Sequence, residues 1–99
     1  MAIVEVSMIP VGTESTSMSE YLARAISTIK HEPGLKYQIT ATGTILEGSL
    51  QDCLNAVTKM HEAVFDAHVH RLITNMEIDD RRDKKETIEE VVESITRKV

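Results

Sequence analysis

Tryptophan is absent from this sequence, and the other large aromatics are one Phe and two Tyr. A core must therefore be assembled from Val, Ile, Leu, Met and Ala. The same scarcity removes the stacking surface on which single-stranded nucleic acid is held. A basic excess is missing too: 11 Lys and Arg oppose 16 Asp and Glu, for a formal charge of −5. Such a chain is poorly suited to nucleic-acid phosphates or anionic lipid, so neither nucleic acid nor a membrane is expected as a partner. Cys53 is the single cysteine, which excludes an intrachain disulfide and a thiolate-rich zinc site. No stretch approaches the ~20 apolar residues that cross a bilayer. The opening Met1-Ala2-Ile3-Val4-Glu5 lacks the basic segment of a signal peptide. A cytoplasmic location is expected.

What is present is enough for one core. The 99 residues are 41% hydrophobic and form one expected domain, residues 1–99. In residues 2–9, AIVEVSMI, Val4, Val6 and Met8 alternate with Glu5 and Ser7, a strand with one wet face. Pro10 closes it. Ser17 stands three residues before Glu20 at capping-box spacing, and Met18, Leu22, Ala25, Ile26 and Ile29 form a helical apolar stripe. Pro33-Gly34 ends that helix near His31. Residues 35–42 and then TILEGSL read as two strands, with a hairpin turn near Thr42-Gly43-Thr44. Ser49 with Asp52 caps a second helix, striped by Leu50, Cys53, Leu54, Val57, Met60, Val64 and Phe65. Residues 69–78 form a fourth strand, with Leu72, Thr74, Met76 and Ile78 on one face. After the charge run DDRRDKK, Asp83 with Glu86 is placed to cap a third helix bearing Ile88, Val91, Val92, Ile95 and Val99.

The order β-α-β-β-α-β matches a ferredoxin-like sandwich with an extra C-terminal helix: an α+β fold whose helices cover one face of a four-stranded antiparallel sheet. Val4, Val6, Met8, Ile39, Leu46, Leu72, Met76 and Ile78 are assigned to the covered face. The open face receives Ile3, Glu5, Ser7, Ile9, Gln38, Thr40, Ile45, Glu47, Ile73, Asn75 and Glu77. Aliphatics mixed with carboxylates, hydroxyls and amides suit an oligomer interface or a ligand cleft better than a plain wet surface. Glu5, Glu47 and Glu77 together would attract a cation, although each can equally face water.

Other constellations carry less. The loop Gly12-Thr13-Glu14-Ser15-Thr16-Ser17 leads into a helix N-terminus that could hold an anion, but turn and cap chemistry explains it as well. His61, His68 and His70 lack a fixed ligand spacing, so no metal is expected. No cofactor motif is present. Cys53 reads as a packing thiol. No nucleophile turn such as G-x-S-x-G occurs, so no catalytic residue is assigned.

Three segments, Ile9-Pro10-Val11-Gly12-Thr13, Thr42-Gly43-Thr44-Ile45-Leu46-Glu47-Gly48 and Ile78-Asp79-Asp80-Arg81, together resemble the thiamine-binding protein family. The resemblance spans nearly the whole chain. It implies non-catalytic binding of thiamine (vitamin B1) or its hydroxymethylpyrimidine portion, and homodimers pairing into homotetramers through sheet surfaces. The Thr-Ile-x-Glu-Gly motif, here Thr44 to Gly48, makes Thr44 and Glu47 the positions to carry over. The residues agree in kind. Carboxylates at Glu5, Glu47 and Glu77 suit a permanent cation, and Ser7, Thr44 and Asn75 suit polar ring atoms. Tyr37 can stack on the ring, or, on the covered side, serve as a half-core tyrosine. Two other functions compete: an enzyme using a carboxylate as base, and a regulatory module that docks another protein on the open face or the last helix.

Overall fold

A computed structural model of the chain describes residues 1–13, 18–66 and 68–99. Its elements are β1 (Ala2–Pro10), α1 (Ser19–Ser27), β2 (Lys36–Ile39), β3 (Thr44–Gly48), α2 (Leu50–Val64), β4 (Leu72–Asp80) and α3 (Ile88–Thr96). The strands form one sheet in the order β2-β3-β1-β4, with every neighbouring pair antiparallel. This is the expected α+β ferredoxin-like arrangement.

Alternation in β1 creates the two faces. Val4, Val6 and Met8 are buried beneath α1 and α2, together with Leu46 of β3. The helices answer with Ala25 and Ile29 from α1 and with Cys53, Ala56, Val57, Met60 and Val64 from α2. Each large side chain buried here contributes on the order of 1.5–3 kcal/mol. Cys53 is fully buried within this cluster, and burial pushes its thiol pKa up. It packs, as its place on the apolar stripe implies.

The helical layer covers the centre of the sheet and leaves part of each edge strand exposed. Ile39 on β2 is 63% exposed, and Met76 and Ile78 on β4 are 42% and 43% exposed. All three share the covered side by register, yet α1 and α2 do not reach them.

Two close approaches explain two glycines of the hairpin segment. A Cβ on Gly48 would sit 2.8 Å from the Gly34 carbonyl oxygen, and one on Gly43 would sit 2.6 Å from that of Val6. Thr40 closes the intervening turn, its hydroxyl accepting from the Gly43 N–H at 3.1 Å.

The local signals fared unevenly. Ser49 caps α2, its hydroxyl accepting from the Asp52 N–H at 3.0 Å. The Ser17 cap lies outside the described residues, and so does most of the loop after Thr13. Asp83 does not cap α3. Thr87 does, accepting from the Glu90 N–H at 3.2 Å, while Arg81 holds Asp83 by two bonds of 2.6 and 2.9 Å. An ion pair formed within the loop has taken the carboxylate away from the helix end. The fourth strand begins at Leu72, after His68 and His70, and runs on to Asp80. The backbone before Leu72 is instead bent around Asp66, whose carboxylate accepts from the His68 and Val69 N–H groups at 2.7 and 2.9 Å. Those bonds, led by the one from His68, hold the Asp66 pKa low.

Candidate functional site

Pairing across the sheet decides which side chains share a face. Ile3 of β1 stands between Glu47 of β3 and Asp79 of β4. Glu5 stands between Ile45 and Glu77, and Ser7 stands opposite Asn75. Ile9 faces Ile73, both substantially exposed. On the outer side of β3, Lys36 lies opposite Glu47 and Gln38 opposite Ile45. The open face is therefore a lattice of carboxylates and aliphatics, with one hydroxyl, two amides and, on β2, the ammonium of Lys36.

Five of the seven candidate residues meet on that face: Glu5, Ser7, Glu47, Asn75 and Glu77. Thr44 and Tyr37 do not. Thr44 pairs with Val6 on the helix side and is 3% exposed. Tyr37 pairs with Leu46 and packs against the buried core. Both placements follow from strand parity, since Leu46 lies two residues from Thr44 and faces the helices. Asp79 is the carboxylate that sequence reading missed. Continuing the alternation one step past Ile78 would have found it.

Glu47 is the most constrained of the group. It is 5% exposed, and its Oε1 accepts a hydrogen bond of 2.6 Å from the Ile88 N–H, the first residue of α3. That amide has no acceptor within its own helix, and the positive end of the helix dipole favours the carboxylate. The bond ties the first residue of α3 to the open-face side of β3. Ile88 is buried there, while Val92 and Ile95 remain exposed. Glu47 also lines a cavity of about 410 Å³ with Lys36, Gly48 and Lys85.

The histidines do not converge. His61 on α2 shares a 2.7 Å hydrogen bond with Thr74 Oγ1 and packs edge-on against Phe65. Among the described residues, no three His, Cys, Asp or Glu side chains are gathered as a metal ion would require. No helix among them is long and apolar enough to cross a membrane.

The family described as thiamine-binding protein matches residues 4–96, from the first strand to the end of α3. The chain belongs to the thiamine-binding protein family. Similar proteins occur in bacteria and archaea. The UPF0045 protein YqgV of Bacillus subtilis is 43% identical over 98% of this chain and 96% of its own length. A UPF0045 protein of Methanothermobacter thermautotrophicus is 40% identical over the whole of both chains. The crystal structure of hypothetical protein MJ1052 from Methanocaldococcus jannaschii superposes with a TM-score of 0.85 at 38% identity, covering 96% of this chain and 95% of that one. A Thermotoga maritima protein, titled as a suspected thiamine biosynthesis/salvage protein, shares the fold at a TM-score of 0.74 and 24% identity, over 95% of this chain and 97% of its own. Within this thiamine-binding protein family chain, the Thr44–Gly48 segment divides by parity. Thr44, Leu46 and Gly48 serve the covered side, and Ile45 and Glu47 serve the open one.

Proposed function

We propose that this chain binds a small heteroaromatic molecule, the cation thiamine or its uncharged hydroxymethylpyrimidine portion, on the open face of its sheet, and that it does so by capture without chemistry. The observation that carries the reading is the Glu5–Glu77 pair, two exposed carboxylates directly opposite each other on β1 and β4. Like charges placed so are mutually repulsive, and a bound cation relieves the repulsion. Ser7 and Asn75, the next pair along the strands, offer a hydroxyl and an amide to an aminopyrimidine. Ile3, Ile45 and Ile73 supply apolar walls. Membership of a family described as thiamine-binding supports the same ligand.

The site is completed by a second copy of the chain. Ile9 and Ile73 on the open face, and Met76 and Ile78 along the β4 edge, are exposed apolar side chains at 41–46% accessibility. Exposed sheet edges and apolar patches of this kind favour self-association, so homodimers and homotetramers fit the reading, as does a cytoplasmic location. Titration calorimetry and thermal melting with thiamine and with hydroxymethylpyrimidine test it, alongside light scattering. Heat of binding, a raised melting temperature and a mass above one chain are expected. No heat and no shift at millimolar ligand would reject the ligand class.

A further inference from the structure

Residues 81–85 carry four of the eleven basic side chains of an otherwise acidic chain: Arg81, Arg82, Lys84 and Lys85. Two are engaged locally. Arg81 holds Asp83 and reaches Glu86 at 3.4 Å, and Arg82 pairs with Asp80 at 2.8 Å. Among the described residues, neither Lys84 nor Lys85 has an ion-pair partner. A solvated charge run would explain the composition but not the shape. All four cations line one cavity of about 650 Å³, against a single lining carboxylate, Asp80. Ser49 and Leu50, where α2 begins, also line it. In the first turn of α2 the Asp52 amide is taken by the Ser49 cap; the amides before it have no acceptor within the helix, and the helix dipole adds to the positive field.

This cavity adjoins the one lined by Glu47. Met1 and Lys85 belong to both. Met1 lies one pair step beyond the row formed by Ile3, Glu47 and Asp79, and that row is one pair step (about 7 Å) from Glu5 and Glu77. The cavity that Glu47 lines thus borders a cation-lined hollow.

We propose that the hollow formed by residues 81–85 and the start of α2 is an oxyanion subsite, and that the ligand is a phosphate monoester of the cationic heterocycle, its ring on the carboxylate face and its phosphate among Lys84, Lys85 and Arg82. The inference rests on the ring-binding reading given under Proposed function and adds the ligand's second group. A phosphate monoester carries about −1.5 to −2 at neutral pH and presents three acceptor oxygens, which suits lysine ammonium groups and helix amides.

Calorimetry at fixed, low ionic strength with thiamine, thiamine monophosphate and inorganic phosphate tests this. The monophosphate is expected to bind at least tenfold more tightly than thiamine, and inorganic phosphate more weakly than the ester. In the double variant Lys84→Gln/Lys85→Gln, the ester's advantage is expected to vanish while thiamine binds as before. Raised salt should erode the ester's advantage in the same way. Equal affinity for thiamine and its monophosphate would overturn the subsite and leave the ring reading standing. Inorganic phosphate binding as tightly as the ester would overturn the ester. Loss of thiamine and ester together in the variant would also overturn it. Failure of thiamine and ester alike with the unaltered chain would instead remove the ring reading on which the subsite depends.

Discussion

Glu47 and Ile88, forty-one positions apart in the chain, are joined by a 2.6 Å hydrogen bond from the Ile88 N–H to the Glu47 carboxylate. The bond ties the start of the last helix to β3 on the open face. Glu47 thus acts on both the fold and the candidate site.

Replacing Glu47 with alanine should release α3. The substitution leaves a helix-end amide without its acceptor in a buried setting, at a cost of about 1–3 kcal/mol. Amide exchange across Ile88–Thr96 should quicken, with the protein's denaturant midpoint lowered. Glu47→Gln keeps an acceptor oxygen and should lose less. Unchanged exchange in the alanine variant would show that α3 is held by other contacts.

Gly48 should tolerate no side chain. A Cβ there would approach the Gly34 carbonyl oxygen to 2.8 Å, and the neighbour is backbone, which cannot swing aside. Gly48→Ala is expected to destabilise by about 1–3 kcal/mol, as other overpacked positions do. Urea unfolding followed by far-ultraviolet circular dichroism measures it. A midpoint equal to that of the unaltered chain would mean that the two segments separate freely.

The Arg81–Asp83 pair should be visible in a pH titration. The Arg81 guanidinium, hydrogen-bonded to both carboxylate oxygens, holds the Asp83 pKa down at about 2. A folded-state pKa below the unfolded value of about 3.9 means that the pair supports the loop above pH ~4, and that this support fades as pH falls toward 2. Carboxyl carbon shifts should show Asp83 titrating near the lower value and returning to about 3.9 in Arg81→Gln. Both residues are solvent-accessible, so the global melting temperature should respond little. An Asp83 midpoint already near 3.9 in the unaltered chain would contradict the pairing.

Much of this was legible in the residues themselves. The alternation of Val4, Val6 and Met8 with Glu5 and Ser7 assigns both faces of β1, and antiparallel pairing carries the assignment to Glu77 and Asn75. The element order follows from helical and strand periods separated by Pro33-Gly34, Gly43 and Ser49. Thr44 and Tyr37 were legible too, because two-residue parity with Leu46 and Ile39 places them beneath the helices; chemical suitability for a ligand drew attention away from their register. The start of α3 was not legible. Asp83 has the right spacing for a cap, but an arginine two residues away competes for it, and that outcome depends on a loop conformation set by the whole fold. The Glu47–Ile88 contact was equally hidden, since nothing local to either residue points to the other. Edge exposure of Ile39, Met76 and Ile78 depends on the reach of two helices across four strands, a property of packing rather than of pattern.

The decisive measurement is a calorimetric titration of thiamine into the unaltered chain and into the double variant Glu5→Gln/Glu77→Gln. Removing both charges keeps the shape of the face and abolishes its attraction for a cation. Binding to the unaltered chain, weakened at least tenfold in the variant with its melting temperature preserved, is the expected result. Equal affinity in the two proteins would contradict capture at the open face.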